Sequence, residues 1–186
     1  MPPSPSYRED SEFWEQLDDL KNAFFEEEED YKPTITFVLA QKCHHTRLFL
    51  AETESQWGNA NANGNAPPGT VVDTQITHPY GLNFYLCSHY GNLGTSRPTH
   101  YYVLREDHNF TGDQLQKLIY YLCFTFALCT RSMSLVPLVY YADLVAYRGR
   151  LFQEAVIETQ LDPKSTSFDD KLYKLHHKLE NIMFFV

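Results

Sequence analysis

The chain has 186 residues, with 15 Lys and Arg against 24 Asp and Glu, a formal net charge of −9, and 43% hydrophobic and 15% aromatic residues. That length and apolar content suit one globular domain with its own core. No run of about 18 apolar residues occurs and the N-terminus MPPSPSYRED is polar, so neither a transmembrane helix nor a signal peptide is readable, and a soluble cytoplasmic or nuclear protein without a membrane partner is expected.

From Glu12 to about Glu28, apolar residues recur at Trp14, Leu17, Leu20, Phe24 and Phe25 with an acidic outer face, which predicts a helix. It runs out in the acidic run EEEED, read as a solvated helix end rather than an interaction tail. The segments 34–41, 47–51, 83–88 and 99–104 are rich in β-branched and aromatic residues between turn signals, and strands are expected there. Between the second and third lies QWGNANANGNAPPG, expected to be an exposed, mobile loop. Thr111-Gly112-Asp113 opens a helix expected to reach about Cys129, with Leu115, Leu118, Ile119, Leu122 and Phe126 forming one wide buried face. A second helix is expected from about Tyr140 to Ala155. A last one, from Lys171 to about Met183, leads into the apolar tail Met183-Phe184-Phe185-Val186, which is expected to pack back onto the domain. The expected organisation is an acidic helical segment over 1–32, a central domain over 33–160, and a C-terminal helix and tail over 161–186.

The charge is unevenly spread. Residues 1–36 hold 3 Lys and Arg against 11 Asp and Glu, a balance of −8; residues 37–153 hold 8 against 7, or +1; residues 154–186 hold 4 against 6, or −2. The middle also carries six of the eight histidines. The whole-chain charge therefore does not exclude a polyanionic partner for the central segment. Cys43, Cys87, Cys123 and Cys129 form no C-x-x-C pair, and reduced thiols are expected, the last three buried. Cys43-His44-His45 clusters possible zinc ligands, but adjacent residues on an extended strand alternate faces and no second pair follows at zinc spacing. His44, His45, His78 and His100 read instead as polar parts of the sheet edge and its loops.

Three segments carry the functional reading: PTITFVLAQKCHHTRLF, GTVVDTQITHPYGLNFYLCSHYGNLGTSRPTHYYVL and CTRSMSLVPLVYYADLVAYRGR. In that order and at that spacing they resemble the C-terminal half of the Piwi domain of eukaryotic, plant-like Argonautes, and several long segments in register are more specific than any short motif. The resemblance implies an α/β, partial ribonuclease H-like fold with a mixed sheet flanked by helices. It implies small guide RNA and target RNA as partners, with other silencing-complex proteins beside them, in RNA-directed gene silencing.

Residue by residue, Asp143 matches the last position of the family's catalytic tetrad, where most slicing members carry His and a plant subgroup carries Asp. The hard ions Mg²⁺ or Mn²⁺ that the family uses suit a carboxylate there. The simpler reading is that Asp143 favours the first turn of its helix. Arg148 in AYRGR matches the arginine of the guide 5′-phosphate pocket, where a guanidinium fork fits phosphate oxygens; taken alone it would read as a surface arginine. At about 100° per residue, Asp143, Tyr147 and Arg150 share one helix face, and Arg148 lies about 140° from Asp143. Lys42, Arg47, His89, Arg97, Ser134 and Tyr140 match positions that line the guide backbone, where contacts fix register without reading sequence.

Departures from the pattern matter too. Cys43 and Leu128 stand where the family usually has Arg, and Phe126 where it has Tyr, each removing a donor to phosphate. The stretch SYREDSEFWEQ stands where the family has a Gly-containing turn carrying a catalytic Asp, and Asp10 or Glu9 would be its only remnant. With Asp143 as the one matched ligand, the chain alone is expected not to cleave RNA and to hold no metal stably. The rival reading is a truncated or vestigial Argonaute fragment acting through protein contact without guide binding.

Overall fold

A computed structural model describes residues 33–50, 64–91, 94–159, 177–179 and 181–185, with the isolated positions 15, 18, 19 and 22. Glu15, Asp18, Asp19 and Asn22 are helical and exposed, which fits the outer face of the expected N-terminal helix; its apolar positions and the EEEED run lie outside the described residues.

Four strands form one sheet: β1 (Thr36–Gln41), β2 (Thr70–Val72), β3 (Asn83–Cys87) and β4 (Thr99–Glu106), in the order β1-β4-β3-β2. Each neighbouring pair is antiparallel, with Gln41 opposite His100, Leu86 opposite Thr99, and Thr70 opposite Cys87. The C-terminal ends of β1 and β3 therefore meet the N-terminal ends of β4 and β2 along one rim of the sheet. A register shift between Phe37 and Val38 leaves Leu104 of β4 as the extra residue of a bulge.

Two helices follow, α1 (Gly112–Leu122) and α2 (Pro137–Thr159). Thr111 caps α1 reciprocally: its hydroxyl accepts from the Gln114 amide at 3.3 Å while its own amide donates to Gln114 Oε1 at 2.9 Å. Leu115 and Ile119, one turn apart, meet Phe84 and Leu86 of β3, Tyr101 of β4 and Leu135 in the core. The apolar face of α1 is narrower than its sequence suggests, because Leu118 is 40% exposed.

Several expectations are corrected. The first helix stops at Leu122, not near Cys129: the Thr125 amide and hydroxyl both bond the Leu122 carbonyl, and the Met133 amide takes the Cys123 carbonyl at 2.8 Å. Those bonds satisfy carbonyls that a continuing helix would have used. The second helix begins three residues early, at Pro137, because a first-turn proline gives up no hydrogen bond. Residues 47–50 form no strand. Only Phe49 makes an isolated bridge, to Asn65, and the Arg47 guanidinium holds the preceding turn through the carbonyls of His44 and Thr46. The short β2 was hidden by the low-complexity stretch before it.

At the end of that stretch Asn65 and Ala66 are buried, contrary to an exposed loop; residues 51–63 lie outside the described part. Asn65 accepts from the Ser96 amide at 2.9 Å and donates to the carbonyls of Gly94 at 2.8 Å and Gly91 at 3.3 Å.

The expected last helix lies mostly outside the described residues; 177–179 and 184–185 are turns. Of the expected apolar tail, Phe184 and Phe185 are half-buried, with the Phe185 ring 6.2 Å from that of Tyr141, whereas Met183 is exposed and Val186 lies outside the described residues. Cys87 and Cys123 are buried thiols, Cys129 is half-buried, and Cys43 is exposed. Among the described residues no helix is long and apolar enough to cross a membrane.

Candidate nucleic-acid interface

The rim where β1 and β3 end and β4 begins gathers most of the residues of interest. Lys42 leaves β1 there, His89 follows β3, and Arg97 precedes β4. The segment 129–136, between α1 and α2, is tied onto the same rim by hydrogen bonds. Ser88 Oγ donates to the Met133 carbonyl at 2.6 Å, and Thr99 Oγ1 donates to the Ser134 carbonyl at 2.5 Å.

This docking brings together side chains far apart in sequence. Lys42 Nζ donates to Ser134 Oγ, and Ser134 Oγ is 3.0 Å from the Tyr140 hydroxyl in the first turn of α2. All three residues are half-buried. One ammonium donor is used on Ser134, which leaves Lys42 further donors for an incoming oxygen. Partial burial strengthens such a charge-assisted bond relative to one in open water.

His89 belongs to the same group. Burial lowers its pKa below the ordinary value, and the positive charge of Lys42 lowers it further. Its Nδ1 is buried with no hydrogen-bond partner. A cavity of about 610 Å³ opens beside it, lined in part by His89, Tyr90, Tyr120, Phe124, Arg131 and Ser134.

Not every predicted residue joins the cluster directly. Arg47 spends Nη1 on its own loop, at 3.0 Å from the His44 carbonyl and 2.7 Å from that of Thr46. Arg97 is exposed at the rim. Asp143 and Arg148 are exposed on α2, and Arg150 of the same helix pairs with Glu154 at 2.9 Å. Asp143 is the seventh residue of α2 and lies beyond its first turn, so helix-start stabilisation does not account for it. Of the three departures, Cys43 and Leu128 are exposed, and Phe126 packs against the rings of Tyr140 and Tyr141 at 5.7 and 5.3 Å.

A divalent ion needs several hard oxygen ligands, and among the described residues no three His, Cys, Asp or Glu side chains converge. Asp143 is a single carboxylate and does not make a metal site with the described residues. Tyr90, Phe124 and Arg131 also stand at this site, although nothing in their sequence surroundings singles them out. Arg131 and its neighbours lie within the CTRSMS segment, but only the fold shows that this loop walls a cavity.

The Piwi domain family matches residues 13–154. Argonaute 7 of Oryza sativa subsp. japonica is 52% identical over 157 residues, which is 83% of this chain and 15% of that protein. Argonaute 7 of Arabidopsis thaliana is 47% identical over 179 residues, covering 92% of this chain and 17% of its own length. The chain thus spans about a sixth of the curated relatives it matches. Among solved structures, the Kluyveromyces polysporus Argonaute with a guide RNA aligns at a TM-score of 0.76 and 27% identity, over 91% of this chain and 20% of that one. The sheet and helices are accordingly a partial ribonuclease H-like fold, and with the family match extending from the N-terminal helix through Glu154, the chain belongs to the Piwi-domain family of Argonaute proteins.

Proposed function

We propose that this chain is a guide-RNA-holding part of an Argonaute acting in small-RNA-directed gene silencing. The observation that carries the reading is the Lys42–Ser134–Tyr140 network at one rim of the sheet, with unspent ammonium donors and His89 beside it. An ammonium flanked by hydroxyls suits backbone phosphate, which positions a strand without reading its bases. Arg97 and the remaining donors of Arg47 extend that surface, and Arg148, on another face of α2 from Asp143, takes the guide 5′-phosphate. A solved relative was determined with a guide RNA, which supports this choice of partner.

Cleavage in the family depends on divalent metal. The described residues contribute Asp143 alone, so no cleavage step runs through them. The rival reading, protein contact without guide binding, has one observation in its favour: Leu138, Val139, Tyr147 and Phe152 of α2 are 67%, 45%, 55% and 43% exposed.

The test is a fluorescence-anisotropy titration of 5′-phosphorylated single-stranded RNA at several salt concentrations. Lys42→Ala should weaken binding severalfold and reduce the salt slope by about 0.7, the loss of one phosphate contact to a single strand. Binding no stronger than that of an unrelated acidic protein, or a Lys42→Ala variant with unchanged affinity and slope, would favour the rival.

A further inference from the structure

The cavity beside Ser134 contains more than a backbone contact requires. Tyr120 stands edge-on to Phe124, with ring centroids 5.2 Å apart at 89°. Tyr120 is half-buried beside it. Phe124 and Tyr90, by contrast, are 49% and 47% exposed while lining the cavity. Exposed aromatic rings in a concave site are the usual lining of a small-ligand pocket, and about 610 Å³ falls within the ~300–1,000 Å³ of such sites.

The polar groups are placed to match. Arg131 lines the cavity, and its backbone amide is held on Cys129 Sγ at 3.4 Å. His89 lines the cavity beside it. The wall from Cys129 to Ser134 is anchored through Met133 and Ser134, so the pocket is preformed. Ser134 and His89 also belong to the Lys42 cluster, which places the pocket directly beside the proposed backbone track.

We propose that this cavity receives one unstacked base of the bound RNA strand, with Tyr90 and Phe124 stacking on its faces, His89 bonding to its edge and Arg131 meeting an adjacent phosphate. A base has the flat apolar faces and polar edge that this lining offers, and stacking on aromatic side chains is a general means of holding single strands. The strand is favoured over a free nucleotide because the pocket shares Ser134 and His89 with the phosphate-facing cluster. The inference rests on the guide-holding reading above.

The test compares an RNA of about 10 nucleotides, within the site size of single-strand binders, with its fully abasic counterpart and with free AMP. Titrations use the wild-type chain, the Tyr90→Ala, Phe124→Ala double variant, Arg131→Gln and Lys42→Ala, each checked by thermal melting. The wild type should prefer base-bearing RNA over abasic RNA by about tenfold, the scale of base stacking. The double variant should bind the two equally, and Lys42→Ala should weaken both while keeping the preference. Equal wild-type binding of the two RNAs, or a preference that survives the double substitution, overturns the base pocket and leaves the guide-holding reading standing. AMP binding without RNA binding makes the cavity a free-nucleotide site and overturns both, as does a failure to bind any of the three. Because Tyr90 is exposed, Tyr90→Ala alone decides the matter should the double variant fail to melt cooperatively.

Discussion

His100 shows how one residue ties the rim to pH. It lies on the inner strand β4 rather than at the sheet edge, only 4% exposed, stacked at 4.0 Å and 11° on Tyr85 and 3.9 Å from Tyr102. Asn83 donates from Nδ2 to the carbonyls of His78 and Gly81, so its Oδ1 is left to accept from His100 Nε2 at 3.1 Å. Burial, reinforced by His44, pushes the His100 pKa down from 6.5 to about 4. The unfolded chain therefore takes up the proton first as pH falls. The stabilisation is fully present above pH 6.5 and is lost progressively as pH falls from 6.5 towards 4, a swing of up to about 3 kcal/mol. Urea midpoints at pH 7 and pH 4.5 should differ more for the wild type than for His100→Gln; equal differences would show that His100 does not carry the dependence. The individual identities of Lys42, Ser134 and Tyr140 were legible in the sequence, but their mutual bonding, across 92 positions for Lys42 and Ser134, was not.

At the scale of elements, the segment before β2 and the loop after β3 form a clasp. Asn65 joins the two through Gly91, Gly94 and Ser96, and a Cβ at Gly91 would fall 2.1 Å from Ser96 Oγ and 3.0 Å from Asn65 Nδ2. Asn65→Ala strands buried polar groups and should cost about 1–3 kcal/mol of stability by chemical denaturation. Gly91→Ala overpacks the same point and should cost a similar 1–3 kcal/mol. Wild-type stability in both variants would mean the clasp is not part of the cooperative unit. The clasp was illegible in the sequence because an Asn/Gly/Pro-rich stretch looks alike whether or not its end is buried; only the long-range partners of Asn65 distinguish it. Strands β1, β3 and β4 were readable from their β-branched and aromatic runs, and the start of α1 from Thr111-Gly112-Asp113. The end of α1 was not readable, because the apolar spacing continues through Phe126 while the Leu122 and Cys123 carbonyls turn to other partners.

For the whole molecule, the acidic residues are concentrated in a different stretch of sequence from the one that supplies the rim. Residues 1–36 carry −8, while 37–153, which supply the rim cluster, carry +1. On the proposed function, an RNA strand would meet the Lys42 ammonium on an otherwise acidic chain, and affinity should fall with salt. Because Asp143 stands without converging ligands among the described residues, the chain alone should show no Mg²⁺- or Mn²⁺-dependent RNA cleavage above a mock preparation. Cleavage abolished by Asp143→Ala would show that further ligands assemble around it. In a full-length Argonaute carrying this segment, Arg148→Ala should weaken loading of 5′-phosphorylated guides more than 5′-hydroxyl guides, and equal effects would make Arg148 a general surface charge. Whether the rim holds RNA is tested most directly by photo-crosslinking with a 4-thiouridine-substituted single-stranded RNA, read by mass spectrometry of the attached peptides. Cross-links should concentrate in 42–47, 89–97 and 124–140 and diminish with Lys42→Ala. Attachment confined to the acidic N-terminal segment or the end of α2, or no specific attachment at all, would contradict it.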